Sequence, residues 1–360
     1  MSKYNFCAGP AMLPPAVMKK AQKEFVDWQD LGVSVMEISH RSKEFLALTA
    51  KCEASLRRLM NISDEFEVLF MHGGGRGQFA AVPLNLHVDN KAAVYCENGV
   101  WSKGAVDEAV KFTTVTELDV RNDTNEQFSI KPVSEWQFPA DPSYIHYCPN
   151  ETIDGIEVFD VPSHPTAPIV ADMSSTILSR EFDVDQFDLI YAGAQKNIGP
   201  SGLAIVIIRK TLLEREGVAK PGIFDYALEV KQGSMYNTPP TFAWYLAAEV
   251  FDWLEQNGGV KAMEQQNIAK AELLYGFIDE SPFYNNKVAK HCRSRMNVPF
   301  WLNDESLNAA FLAQAKEAGL LALEGHRIVG GMRASIYNAM PLAGVQALVD
   351  FMAQFAKEHS

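Results

Sequence analysis

Lys196 and Asp172 are the residues of this chain whose surroundings promise chemistry. Lys196 follows an apolar run, Leu189-Ile190-Tyr191-Ala192, and precedes Gly199, Pro200 and Gly202, which force a turn before a second apolar run at 203–208. A lysine between two core strands is costly to bury as an ammonium, so its pKa falls. Neutral part of the time, it can form a Schiff base with an aldehyde cofactor; the plain alternative is a solvated turn lysine. Asp172 lies 24 residues upstream, ending Ile169-Val170-Ala171 and preceding the turn residues Met173-Ser174-Ser175-Thr176. That separation leaves room for one helix or loop and one strand, so both side chains can emerge at the carboxyl edge of neighbouring strands. A carboxylate there keeps a cofactor's ring nitrogen protonated and makes the ring an electron sink. An aspartate in this position also reads as a helix cap.

A pyridine-aldehyde phosphate bound to Lys196 needs further partners. Trp101, in a loop just after a strand, offers a stacking face, or else packs in the core. His72-Gly73-Gly74-Gly75-Arg76-Gly77-Gln78 separates an expected strand, 66–71, from an expected helix reaching Leu84. Backbone N–H groups and the helix dipole then make an anion site, with Gly75 and Arg76 its first candidates. The loop is neither a Walker A loop nor GxGxxG. Gln195, Asn237 and Thr238 add polar groups, and Thr152 either bonds the ring hydroxyl or serves a turn. The substrate side is cationic: His40, Arg41, Arg76, His326, Arg327 and Arg333 each sit beside glycine, serine or turn residues. Arginine suits capture of a carboxylate or phosphate, although any one of these can be a plain surface charge.

The elements that must position these groups read as α/β. Short apolar strands at 66–71, 92–95, 143–147, 169–171 and 204–208 alternate with helices, which predicts a mostly parallel sheet covered on both faces. Residues 5–14 form an extended arm, because Pro10 and Pro14 break any periodicity. Helices are expected at 15–28 and 44–60. Beyond Gly258-Gly259 a smaller α+β unit follows: helix 260–278, strand 296–301, helix 307–318, short strands 321–323 and 332–336, and a last helix over 343–356. The division expected is 16–256 for a large cofactor-binding domain and 257–360, with the arm 1–15, for a small one.

Of the 360 residues 47% are apolar, ample for two cores, and the net charge of −13 argues against a nucleic-acid or anionic-membrane surface. No apolar run approaches ~18 residues, so no membrane span is expected. The first residues lack a signal peptide's apolar stretch. Cys7, Cys52, Cys96, Cys148 and Cys292 are odd in number and widely spaced, which suggests reduced thiols in a cytoplasmic protein and no zinc site.

Several segments together closely resemble the phosphoserine aminotransferase family, within the class V pyridoxal-phosphate-dependent aminotransferases. They are Gly9-Pro10-Ala11-Met12-Leu13-Pro14, Val35-Met36-Glu37-Ile38-Ser39-His40-Arg41-Ser42, His72-Gly73-Gly74-Gly75-Arg76-Gly77-Gln78-Phe79, and His146-Tyr147-Cys148-Pro149-Asn150-Glu151-Thr152-Ile153-Asp154-Gly155. The residues 191–202, Tyr236-Asn237-Thr238-Pro239-Pro240-Thr241-Phe242 and Gly330-Gly331-Met332-Arg333-Ala334-Ser335 complete the set, in order along the chain. The resemblance implies an aspartate-aminotransferase-like fold, pyridoxal 5'-phosphate as cofactor, and a homodimer with shared active sites. It implies Lys196 as the Schiff-base lysine, Asp172 on the ring nitrogen and Trp101 on the ring face. It makes Gly75, Arg76, Thr152 and Gln195 cofactor contacts, with Asn237 and Thr238 reaching the phosphate from the partner subunit. Arg41 and Arg333 become substrate arginines, with His40, Arg76, His326 and Arg327 around the substrate's phosphate or side-chain carboxylate.

The activity implied is transamination between 3-phosphohydroxypyruvate plus glutamate and 3-phosphoserine plus 2-oxoglutarate, with 4-phosphohydroxythreonine a further substrate in pyridoxine synthesis. Ala8 stands where the family often has serine. Two other classes compete. A cysteine desulfurase of the same class needs a mobile cysteine, and Cys292 reads as part of a strand. A non-catalytic binding protein would not need Lys196, Asp172 and Trp101 together.

Overall fold

The computed structural model describes residues 3–122, 127–215 and 218–359. Met1, Ser2 and Ser360, at the outer ends of the expected small domain, lie outside them. Seven strands form the central sheet: β1 (Phe66–His72), β2 (Ala93–Glu97), β3 (Val115–Asp119), β4 (Ile145–Tyr147), β5 (Ile169–Asp172), β6 (Leu189–Gly193) and β7 (Leu203–Arg209). Their spatial order is β3-β2-β4-β5-β6-β7-β1. All run parallel except β7, which is antiparallel to both β6 and β1. The reason is chain length. Residues 194–202 are too few for a crossover, so β6 and β7 can join only as a hairpin. Lys196 sits in that hairpin, and the carboxyl ends of β1, β2, β4, β5 and β6 gather at the same edge.

Strands β5 and β6 are wholly buried, as expected of a sheet covered on both faces. Strand β3 is absent from the sequence reading because it is the sheet's edge: Val-Thr-Glu-Leu-Asp is half-exposed and polar. The helix Thr241–Gln256 also escaped it. Nearly every residue from Ala243 to Leu254 is buried, so the helix shows no polar face to mark its period. The first helix is shorter than expected, Pro15–Lys23. Trp28 belongs to the next turn instead, its N–H donating to the Val33 carbonyl at 2.9 Å.

Residues 284–285, 297–302 and 332–335 form a three-stranded antiparallel sheet with its own apolar core. The N-terminal arm joins this core. Tyr4–Asn5 pairs with Leu320–Leu321, Phe6 is buried, and the chain then runs to the lysine hairpin, where Ala11 N–H donates to the Gln195 carbonyl at 2.8 Å. The two cores meet along the helix Gly259–Glu280, whose Met263 packs on one side and Leu274 on the other.

The seam between them is polar and buried. Asn267 Nδ2 donates to Asn338 Oδ1 (2.9 Å), Asn338 Nδ2 to the Leu178 carbonyl (2.8 Å), and Asn338 N–H to Asn197 Oδ1 (3.1 Å). Asn150 Nδ2 reaches both Ser175 Oγ and Asn297 Oδ1. Residues beside the lysine and beside Thr152 are thereby tied to the C-terminal sheet.

Candidate active site

The hairpin places Lys196 at the bottom of a cavity of 340 Å³. Its Nζ donates to Thr152 Oγ1 at 2.6 Å and lies 5.7 Å from the centre of the Trp101 ring. Burial lowers its pKa from 10.5 to about 8, against the attraction of Asp172 and Glu151; the Arg333 charge adds to the lowering. The amine is therefore poised between its two protonation states near neutral pH.

Asp172 ends β5 inside the same cavity. Burial pushes its carboxyl above the ordinary value, opposed by Ser174, Lys196 and the Tyr191 hydroxyl. Its Oδ1 accepts the Ser174 N–H at 2.9 Å. Ser174 was missed by sequence reasoning, although Asp-x-Ser is the pattern of a side chain bonding its own backbone two residues on. The same serine's Oγ accepts the Gly193 N–H at 2.9 Å, locking the end of β6 to the turn after β5.

Trp101 is not in a loop. It is the second residue of the helix Val100–Ala109. The first three N–H groups of that helix are met from far along the chain, by Glu151 and Asp154, and the local cap is the Ser102 hydroxyl on the Gly99 N–H at 3.0 Å, a weak signal in sequence. At the opposite wall the helix Gly74–Leu86 begins at the glycine loop. Gly73 holds φ +88°, a left-handed conformation that glycine adopts freely, and it turns the chain from β1 into the helix. The N–H groups of the first turn, those of Gly75 and Arg76 included, have no carbonyl four residues back within the helix. They form an anion cradle on the cavity wall. The Arg76 guanidinium lies 5.4 Å from the Trp101 ring centre, and Gln195 lines the same space.

Lys196, Asp172, Trp101, Thr152, Gly75, Arg76 and Gln195 are thus brought together. Asn237 and Thr238 are exposed and do not line the cavity. Neither do His40, Arg41, His326 and Arg327. Arg333 is half-buried on the strand 332–335, with Nε buried and unpartnered. The Ala8 carbonyl accepts the Tyr337 hydroxyl at 2.8 Å, so the arm is held there without a side-chain hydroxyl. Cys292 is the one buried residue of a 3-10 turn, Lys290–Cys292, rather than part of a strand, and does not line the cavity. That is the wrong place for a mobile nucleophile.

The model of the class-V aminotransferases matches residues 3–348. The phosphoserine aminotransferase of Pseudoalteromonas translucida is 86% identical over 360 residues, spanning 100% of both chains. Among solved structures, the phosphoserine aminotransferase from Bacillus circulans subsp. alkalophilus superimposes with a TM-score of 0.96 at 41% identity, covering 99% of each chain. The pyridoxal-phosphate-bound phosphoserine aminotransferase from Trichomonas vaginalis gives 0.92 at 40% identity, covering 98% of this chain and 99% of that one. The α/β architecture, with its single antiparallel strand carrying the lysine hairpin, is the aspartate-aminotransferase-like one of fold-type I. Sequence, fold and a lysine–aspartate cavity at the sheet edge agree: this chain belongs to the class-V aminotransferase family.

Proposed function

We propose that the chain is a phosphoserine aminotransferase that uses pyridoxal 5'-phosphate. The observation that carries this reading is the convergence of a buried lysine, with its pKa at about 8, on a buried aspartate, an indole face and a helix N-terminus in one cavity. The residues fit the cofactor. Asp172 is a buried carboxyl hydrogen-bonded by the neutral groups of Ser174 and Tyr191, and a protonated ring nitrogen would add a charged donor. The Trp101 ring provides an apolar face, and the cradle at Gly75 and Arg76 suits an anionic tail. Thr152 is placed to hold the ring hydroxyl, and Gln195 adds an amide.

When bound, the cofactor supplies an aldehyde that carries the amino group and a ring that delocalises the electrons left at the substrate's α-carbon. Lys196 would hold the aldehyde and, once displaced by the substrate's amino group, would be free to take the α-proton and return it. Its low-dielectric surroundings lower the amine's pKa to about 8, which supplies a neutral fraction for that task. Arg333 holds the substrate's α-carboxylate. Arg41, His40, His326 and Arg327 face its phosphate or γ-carboxylate, which differ little to a guanidinium fork. The reaction is transfer of the amino group from glutamate to 3-phosphohydroxypyruvate, giving 3-phosphoserine and 2-oxoglutarate. The same cluster suits 4-phosphohydroxythreonine, as in pyridoxine synthesis. The free, widely spaced cysteines suit a cytoplasmic enzyme.

The working unit is a homodimer, with 16–256 as the large domain and 257–360 plus the arm as the small one. Exposed apolar residues crowd one stretch, Met18, Phe25, Val26, Leu31, Val33, Met36 and Leu46, as at a subunit contact. Phe25 packs edge-on against Phe242 at 5.8 Å, so this patch adjoins the segment holding Asn237 and Thr238. A second copy on that face would receive Asn237 and Thr238 in its own phosphate cradle. Mixing Lys196→Ala protein with an Asn237→Ala/Thr238→Ala variant tests this. Shared sites predict that subunit exchange restores activity, because each mixed dimer regains one intact site. Activity equal to the average of the two separate proteins would overturn it.

A further inference from the structure

At the start of the helix that carries Trp101 the local Ser102 hydroxyl takes only the Asn98 and Gly99 N–H groups, and the first three N–H groups of the helix itself are met by distant carboxyl groups. Glu151 is fully buried, and both its oxygens are used: Oε2 accepts the Trp101 N–H at 2.8 Å and Oε1 the Ser102 N–H at 2.7 Å. Asp154 Oδ2 accepts the Val100 N–H at 3.1 Å. Three successive backbone donors that the helix leaves unpaired are therefore met by two acidic side chains some 50 residues on. The approach is close. A Cβ on Gly99 would stand 2.5 Å from Glu151 Cγ and 2.6 Å from Asp154 Oδ2, so that position has no room for a side chain.

The indole packs on the core beside it but makes no hydrogen bond of its own, since Trp101 Nε1 is buried without a partner. Its position is inherited from its backbone. The turn supplying the carboxylates is itself held: Gly155 N–H bonds the Glu151 carbonyl at 2.8 Å, and Asn150 bonds Asn297 and Ser175. Thr152, next to Glu151, carries the hydroxyl that meets Lys196.

We propose that Glu151, assisted by Asp154, is a positioning residue for Trp101: a buried carboxyl clamp on the helix start that fixes the indole opposite Lys196. One rigid turn then sets both the aromatic face and the hydroxyl beside the lysine. The inference rests on the cofactor assignment above. A glutamine at 151 keeps the shape but offers one acceptor where two are needed, and turns an N–H₂ group toward a backbone N–H. The grip of both Glu151 oxygens is lost while the side-chain volume stays.

The test is a double-mutant cycle with Glu151→Gln and Trp101→Phe, read by cofactor affinity and by the circular dichroism that the bound cofactor acquires from its surroundings. Glu151→Gln alone is expected to weaken pyridoxal phosphate binding by about 10-fold and to change the induced dichroism as Trp101→Phe does. In the Trp101→Phe background the Glu151→Gln effect should shrink to less than about 2-fold. Asp154→Asn, which loosens the grip on Val100, should produce the same spectral change to a smaller degree and guards against a misfolded Glu151→Gln protein. Equal losses in both backgrounds, or an unchanged dichroism in Glu151→Gln and Asp154→Asn, overturn the proposal. Failure of the unmutated protein to bind the cofactor would instead overturn the cofactor assignment.

Discussion

Replacing Lys196 by methionine should stabilise the cofactor-free protein at neutral pH. Burial lowers the lysine from 10.5 to about 8. Each pKa unit corresponds to about 1.4 kcal/mol, so holding the ammonium in the fold costs about 3 kcal/mol at pH 7. The sign follows from proton counts. Between about 8 and 10.5 the unfolded chain keeps this proton and the folded one has released it, so wild-type stability rises with pH across that window. Below it the penalty is complete. Methionine removes the charge but leaves Thr152 Oγ1 without its 2.6 Å donor, a loss of about 1 kcal/mol. The expected gain at pH 7 is therefore about 2 kcal/mol, and it should decline by about 2 to 3 kcal/mol between pH 7 and pH 10. Lys270 is also buried, with its pKa lowered to about 7, but it is common to both proteins and cancels in the difference. Urea unfolding of the two cofactor-free proteins at both pH values measures it. A stability difference that does not change with pH would refute the claim that the site strains an ammonium.

Two further outcomes follow from other parts of the structure. Asn338→Ala removes the side chain that bonds the Leu178 carbonyl and Asn267 across the buried seam, and should lower unfolding free energy by about 2 kcal/mol; a denaturant midpoint equal to wild type would show that the seam contributes nothing. Arg333→Ala should raise the KM of glutamate and of 3-phosphohydroxypyruvate together by about 10-fold or more, because both present an α-carboxylate. A rise for one substrate alone would assign Arg333 to the side-chain end of the pocket.

What could be read in advance depended on how local its cause was. The lysine hairpin was legible because apolar strands flank it and glycines and a proline mark the turn. Asp172 was legible as the last residue of an apolar strand. The glycine loop announced an anion cradle through composition alone. Trp101 reads as a loop residue because the first N–H groups of its helix are met by Glu151 and Asp154, about 50 residues on, and only the Ser102 hydroxyl caps it locally. The helix Thr241–Gln256 was hidden by its burial on all sides. The asparagine seam gives no signal at all: a buried amide pair looks like two surface residues until the cores are docked. Asn237 and Thr238 lie outside the cavity of their own chain, and their proposed role needs a second one.

The central claim is that Lys196 holds pyridoxal phosphate and passes an amino group through it. Visible absorbance of the cofactor-loaded protein tests it most directly. The account predicts a band from the lysine-bound cofactor that glutamate bleaches and 3-phosphohydroxypyruvate restores with release of 3-phosphoserine, and no such band in Lys196→Ala protein. A loaded wild-type protein without the band, or one whose band glutamate leaves unchanged, would contradict it.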